Sequence, residues 1–226
     1  MTSSFDEQNT GKIDKNNPVG KSVETGRPGA ARPGAMKHRE PGSERELSFS
    51  QRVPTGDSLP RDICDSCGFI HYDNPKIVVG SVVTYGDAFL LCRRAIEPRK
   101  GFWTLPAGFM EHGETVEDGA RREAREEANA DIRIRDLLAI YSIPRIAQVQ
   151  IMYRAELLTP EISPGVESLE VALFDWETIP WDQLAFPSVY WALTQFRSVA
   201  DQKIITPFVN PEGENGNMFP ARPPAR

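Results

Sequence analysis

Glu123, Glu126 and Glu127 put three carboxylates into five residues, a short way past Gly108. On a helix these positions are i, i+3 and i+4, which share one face. Like charges at that spacing repel, so helix stability alone does not select the pattern. A hard divalent cation resolves the conflict, because Mg²⁺ and Mn²⁺ prefer oxygen ligands. Divalent cations held this way support attack of water on an anionic or polarised centre. Bound cations neutralise the anionic oxygens that repel a nucleophile and lower the pKa of a bound water. The plainer alternative is a solvated acidic helix surface.

The flanking residues supply the helix. Thr115 followed by Asp118 has the form of an N-cap with an acid three residues on. Residues 116–128 are dominated by Ala, Arg and Glu, with no proline and one glycine, Gly119, a composition that favours helix. Asn129 then suits a left-handed C-cap. The preceding loop, Leu105-Pro106-Ala107-Gly108, is stiff at the proline and permissive at the glycine. Glu114 and Arg122 meet only if that loop folds back, so they are expected to brace loop against helix, not to do chemistry. Upstream, residues 76–85 are β-branched and 88–94 apolar, joined by Gly86-Asp87, a hairpin-turn pair. Phe102-Trp103-Thr104-Leu105 leads into the loop. Residues 133–142 and 149–158 read as further strands and 188–200 as a second helix. Strands with two helices in this order predict an α/β fold, a mixed sheet between helices. No internal repeat is present.

Composition sets the boundaries. The chain has 226 residues and a net charge of −6. That balance argues against a basic nucleic-acid surface, and a phosphorylated substrate meets repulsion unless cations intervene. No apolar run approaches a membrane span. The first residues lack the apolar stretch of a secretory signal, and Asp6, Glu7 and Asp14 are unlike an acid-poor transit peptide. Three cysteines make no disulfide framework, which favours a reducing compartment. The cytoplasm is the default expectation, with a plastid the alternative for a photosynthetic source. Residues 1–50 are rich in Gly, Pro, Ser and mixed charge and are expected to be disordered. Residues 51–75 form a knuckle-like segment, 76–206 the catalytic domain, and 207–226 a flexible tail.

The residues around Gly108 resemble the Nudix box, G-x5-E-x7-R-E-U-x-E-E-x-G-U, where U is aliphatic. Gly108, Glu114, Arg122, Glu123, Glu126 and Glu127 match, Ala124 and Ala130 occupy aliphatic slots, and Asn129 replaces the glycine. The resemblance implies the Nudix fold: a mixed β-sheet in an α/β/α sandwich, with the box forming a loop-helix-loop. Three further stretches resemble the FAD and ADP-ribose pyrophosphatase group: residues 74–80, Trp103-Thr104-Leu105-Pro106-Ala107-Gly108, and residues 164–170 with Leu184-Ala185-Phe186 beyond. NADH pyrophosphatases carry an S-Q-P-W-P-F-P-x-S array past the box, where this chain has Ile140-Tyr141-Ser142-Ile143-Pro144. Pro144 fits the ADP-ribose class. Cys64-Asp65-Ser66-Cys67-Gly68 resembles one knuckle of a zinc ribbon. Structural zinc takes four ligands, and Phe49-Ser50-Gln51-Arg52 stands near where the other knuckle belongs, without cysteines. His38 and His71 are the remaining candidates, and Cys92 reads as a buried strand thiol. The expectation is a degenerate ribbon without zinc.

The resemblance implies that this is a metal-dependent pyrophosphohydrolase of FAD or ADP-ribose, releasing AMP and a second monophosphate. The alternatives are an NADH or nucleoside triphosphate pyrophosphatase, or a nucleotide-sensing module without turnover. It implies Glu123, Glu126, Glu127 and the Gly108 carbonyl as ligands of Mg²⁺ or Mn²⁺. Glu167 is placed as a further ligand in the style of related pyrophosphatases, the alternative being a surface loop charge, and Glu167 and Glu170 are the later acidic loop's candidates for the general base. The box's own candidates for it are Glu126 and Glu127. For the substrate, Arg145, beside Pro144, is placed on phosphates ahead of Arg93 and Arg94, while Tyr141 and Trp103 offer flat surfaces to a ring. Many relatives dimerise, so a homodimer is an expectation.

Overall fold

The structure, a computed structural model, describes residues 47–203 and 205–217. Three short strands, β1 (Phe49–Arg52), β2 (Arg61–Cys64) and β3 (Ile70–His71), form a small antiparallel sheet. The larger body runs β4 (Lys76–Tyr85), β5 (Ala88–Arg94), β6 (Trp103–Thr104), β7 (Ala107–Phe109), α1 (Val116–Ala128), β8 (Ile132–Ile143), β9 (Gln148–Leu157), β10 (Ser168–Phe174) and α2 (Pro187–Ser198). Its sheet has the order β10-β5-β4-β9-β8, with β6 against β5 and β7 against β4. The pair β4 and β9 is parallel and the rest antiparallel. This is the mixed sheet that the sequence predicts.

Alternation along the strands divides the core into two layers, since successive side chains point to opposite faces. Phe89 and Leu91 of β5 pack with Val189, Trp191 and Leu193 of α2. Leu90 and Cys92, one residue out of phase, pack with Ala124 and Ala128 of α1. The alanines let α1 lie close to the sheet. The helices therefore cover opposite faces, giving the Nudix fold as an α/β/α sandwich with α1 in the loop-helix-loop.

The caps of α1 follow from local chemistry. The Thr115 hydroxyl accepts from the Asp118 N–H at 3.1 Å. At the far end Asn129 adopts φ 49° and ψ 32°, and its N–H reaches the Ala124 and Arg125 carbonyls. Its side-chain amide also donates to the Ser163 carbonyl at 3.1 Å. Asn129→Ala is expected to lower the unfolding free energy by about 1 kcal/mol, and Asn129→Gly by less, because only alanine resists the left-handed backbone. Equal losses in urea denaturation would contradict that reading.

Three boundaries differ from the sequence expectation. Phe49 and Ser50 fall in the segment expected to be disordered, yet they open β1 and pair with Cys64 and Ile63. Residues 168–170, read with Glu167 as part of an acidic loop, instead open the edge strand β10 against β5. Its outward Glu170 hides the strand pattern. The segment assigned to a flexible tail is held for part of its length: the Phe208 N–H donates to the Leu138 carbonyl at 2.8 Å. Expectations about His38 and most of residues 1–50 lie outside the described residues.

Candidate active site

On α1 the three glutamates do not share one fate. Glu123 and Glu127, at i and i+4, are buried at 7% and 6% exposure, whereas the Glu126 side chain is 58% exposed. The expected common face is thus a buried pair with an outer neighbour. Arg122 is the hub that orders this acidic surface. It donates to Glu114 at 3.0 and 2.8 Å, to Glu123 at 2.7 Å and to Glu126 at 2.9 Å. A further bond to the Phe109 carbonyl, at 3.0 Å, reaches the loop itself.

Glycines set the closeness of approach. A Cβ on Gly108 would stand 2.4 Å from the Glu123 Oε1, so the carboxylate rests on bare backbone there. A Cβ on Gly165 would stand 1.6 Å from the Glu126 carbonyl oxygen. Only a glycine lets the loop before β10 reach the end of α1. There the Gly165 N–H donates to the Glu127 carbonyl and the Ser163 N–H to the Ala128 carbonyl, each at 3.0 Å. These bonds satisfy carbonyls that a helix end leaves orphaned. They also carry Glu167 to the same cleft as Glu123 and Glu127.

Electrostatics mark Glu127 as the unusual group. Burial pushes its carboxyl up to about 8, and the neighbouring Glu123 adds to the rise. Its one hydrogen bond among the described residues is a long one, 3.3 Å from the Ala107 N–H. Burial also raises Glu123, against the pull of Arg122. Two desolvated carboxylates with so few donors are poorly compensated. Among the described residues no three His, Cys, Asp or Glu side chains converge into a ready cage for a metal. The donor set nevertheless suits a hard divalent cation: it is all oxygen, and Glu127 lacks the partners that its burial demands. Glu123 and Glu127 would hold the ion, with Glu167 exposed at the same cleft and Glu126 tied to Arg122 beside them.

The cleft beside them has a volume of about 1460 Å³. Gly108, Arg122, Arg145, Glu123, Glu126, Glu127 and Glu167 are among the residues that line it. Two sequence expectations fail here. Tyr141 is fully buried, edge-on to Trp191, with its hydroxyl donating to Gln195 at 2.6 Å. Trp103 is 6% exposed and packs edge-on to Phe174. Both rings are core, because their strand positions face α2 and not the cleft. The sequence reading had set Arg94 behind Arg145, but both line the cleft. Arg94 is fixed by a 2.9 Å bond to the Pro98 carbonyl, lies over the Phe186 ring, and pulls the Glu127 carboxyl down. Its place at the very end of β5 was the available signal. Gly108→Ala is expected to raise the Mg²⁺ concentration for half-maximal turnover at least about threefold while leaving the fold intact, since the flexible Glu123 side chain must swing away. An unchanged Mg²⁺ titration would remove Gly108 from the site.

In the small sheet, the turn after β2 keeps a knuckle form: the Gly68 N–H donates to the Cys64 carbonyl at 2.9 Å. Backbone N–H groups of Cys67 and Ser66 pull the Cys64 thiol below its usual range. Across from it, Ser50 and Arg52 donate to Asp65 at 2.7 and 3.2 Å. A polar clasp therefore stands beside the lone Cys-x-x-C, where a second thiol pair would be needed to complete a zinc site.

Comparisons with known proteins agree with this geometry. The NUDIX domain model matches residues 74–198, and the Nudix N-terminal zinc-ribbon model matches residues 47–73. An ADP-ribose pyrophosphatase of Methanocaldococcus jannaschii is 33% identical over 119 residues, covering 51% of this chain and 69% of that relative. An NAD-capped RNA hydrolase of Stutzerimonas stutzeri is 36% identical over 113 residues, which span 48% of this chain but only 39% of the relative's length. The crystal structure of a NUDIX hydrolase from Nitrosomonas europaea superposes with a TM-score of 0.69 at 45% identity, covering 75% of this chain and 97% of that one. With the box residues gathered on one loop-helix-loop and the domain model spanning more than half of its length, the chain belongs to the Nudix hydrolases, enzymes that act on phosphoanhydride bonds.

Proposed function

We propose that the enzyme cleaves the diphosphate linkage of FAD or ADP-ribose, releasing AMP and a second monophosphate. The observation that carries this reading is the buried, under-compensated pair Glu123 and Glu127 at the wall of a cleft large enough for a dinucleotide. The Methanocaldococcus jannaschii relative, named an ADP-ribose pyrophosphatase, supports the substrate class. A bound Mg²⁺ or Mn²⁺ would supply charge neutralisation and an activated water. The protein's own part is to hold and orient. Glu123 and Glu127 would hold the ion against which the diphosphate is placed, with Glu126 and the Gly108 carbonyl as further oxygen donors. Arg122 and Glu114 keep loop and helix in register. Arg145 and Arg94 offer guanidinium groups to phosphate oxygens, a geometry that suits them. A water oxygen bonds to phosphorus as the bridging P–O bond breaks, and its proton passes to a carboxylate, with Glu167 the exposed candidate.

One observation favours a second reading. The Stutzerimonas stutzeri relative is named an NAD-capped RNA hydrolase, and the ribbon model matches here too. Against it stands Ile140-Tyr141-Ser142-Ile143-Pro144 in place of the array found in NADH pyrophosphatases. The test is a panel of FAD, ADP-ribose, NADH, NAD-capped RNA and nucleoside triphosphates with Mg²⁺ or Mn²⁺, following release of AMP or phosphate. AMP from FAD or ADP-ribose is the expected result. Turnover of NADH or capped RNA alone would replace this reading by the second. Tight binding without turnover would make the protein a sensor.

A further inference from the structure

Residues 206–217 run along β8, the edge strand of the large sheet. Phe208 bridges to it, its N–H donating to the Leu138 carbonyl at 2.8 Å and its carbonyl accepting from the Ile140 N–H at 3.0 Å. Asn210 makes a second latch. Its Oδ1 accepts from the Ser142 N–H at 2.9 Å, and its Nδ2 donates to the Ser142 and Glu214 carbonyls at 2.8 and 3.2 Å. Gln195 of α2 makes a third, donating to the Val209 carbonyl at 3.1 Å while accepting the Tyr141 hydroxyl. Phe208 also packs against the core cluster that includes Tyr141 and Trp191, so one apolar anchor and these latches together account for the segment's course.

The strap leads to Gly216. That residue is buried, at φ +75°, and a Cβ on it would stand 2.5 Å from the Ile143 Cδ1. Gly216 and Ile143 both line the active cleft, together with Arg145, Gln148 and Gln150. Ile143 of β8 pairs with Gln148 of β9, and β9 lies next to β4, on which the Gly108 strand rests. The strap therefore closes the cleft two strands from β4, roughly 10 Å at ordinary strand spacing. The lining changes character along that distance. Near α1 it is acidic. Near the strap it has the amides of Gln148 and Gln150, the cations Arg145 and Lys76, and the apolar Ile143, Ile146 and Met152. Amides with apolar surface suit a flat heterocycle, which is polar at its edges and apolar on its faces.

We infer that this lobe takes the nucleoside half of the substrate and that the strap, through Gly216 against Ile143, is its end wall and a determinant of specificity. The inference rests on the reading that places the diphosphate at Glu123 and Glu127. Two variants test it: Asn210→Ala, which opens a latch, and Gly216→Ala, which crowds the wall. Each is checked for folding by thermal melting. AMP and a pyrophosphate whose bridging oxygen is replaced by methylene, so that water cannot cleave it, are then titrated by calorimetry with Mg²⁺ present, so that the diphosphate site is loaded and turnover plays no part. The expected result is AMP binding weakened about tenfold, as a one-methylene misfit commonly produces, with pyrophosphate binding unchanged. If Asn210→Ala fails to fold, Gly216→Ala decides alone. Folded variants that bind AMP like the wild type would overturn the inference, as would equal losses for AMP and pyrophosphate. Weakened AMP binding in a protein that hydrolyses no dinucleotide would instead refute the proposed function and leave the wall standing.

Discussion

Glu127→Gln is expected to cut turnover at least about tenfold, the least that loss of an ion-holding carboxylate produces, while leaving the fold intact. Glutamine keeps the volume and can still accept the Ala107 N–H. What it removes is a charge that the folded protein holds in a dry place. The metal-free wild type should therefore gain, not lose, by the change. The sign follows from the carboxyl standing at about 8 when folded, against an ordinary 4.5. A raised carboxyl contributes stability fully below 4.5 and loses it as the pH rises through 8. In chelator-treated protein the wild-type melting temperature should thus fall across that window, while the variant stays flatter and at least as stable at the alkaline end. Adding Mg²⁺ should reverse the order, because an ion that binds only the native state raises its stability. The wild type should gain melting temperature and the variant much less. Wild-type turnover in the variant, or an equal Mg²⁺ response, would remove Glu127 from the site.

The same residue shows where the sequence was legible. The box spacing told that carboxylates gather, and the caps at Thr115 and Asn129 told where α1 begins and ends, because both signals are local and need no partner from elsewhere. The hairpin at Gly86-Asp87 was readable for the same reason. Residues that depend on distant partners were not. Tyr141 and Trp103 are aromatic residues close to the box in sequence, yet which way a strand side chain points depends on its register against the neighbouring strands. A shift of one residue would turn either ring to the opposite face of the sheet. Glu126 was grouped with its neighbours because helical spacing alone does not say which part of a face meets the sheet. The strap ending at Gly216 was hidden more thoroughly. Its composition resembles a disordered tail, and its order comes from one apolar anchor, Phe208, and single polar latches that composition does not register.

Arg122→Ala should be the most damaging change to the scaffold of the site. One guanidinium bonds Glu114, Glu123, Glu126 and the Phe109 carbonyl. Glu114 is in turn packed beneath Gly119, where a Cβ would stand 2.8 Å from its Oε1, and it also accepts the Glu111 N–H at 2.7 Å. Arg122 first, and that N–H second, hold the Glu114 carboxyl down at about 2. Without the arginine, three carboxylates face one another with no cation among them, and the loop bearing Gly108 loses its tie to α1. Breaking a partly buried pair from one side leaves the other side uncompensated, which costs more than the pair is worth. The melting temperature should fall on the order of 5 °C, and turnover at least about tenfold, since small displacements of aligned groups are costly. Arg122→Lys should recover little, because an ammonium lacks the forked geometry used here. Acid should narrow the stability gap. A depressed carboxyl such as Glu114 contributes above its ordinary 4.5 and loses that contribution as the pH falls toward 2. Wild type and variant should therefore converge over that range. A double-mutant cycle with Glu114→Gln separates this account from general loosening: the combined loss should be clearly smaller than the sum. Simple additivity, with a Mg²⁺ dependence like that of the wild type, would mean that Arg122 only decorates the surface and that the loop holds its place by other means.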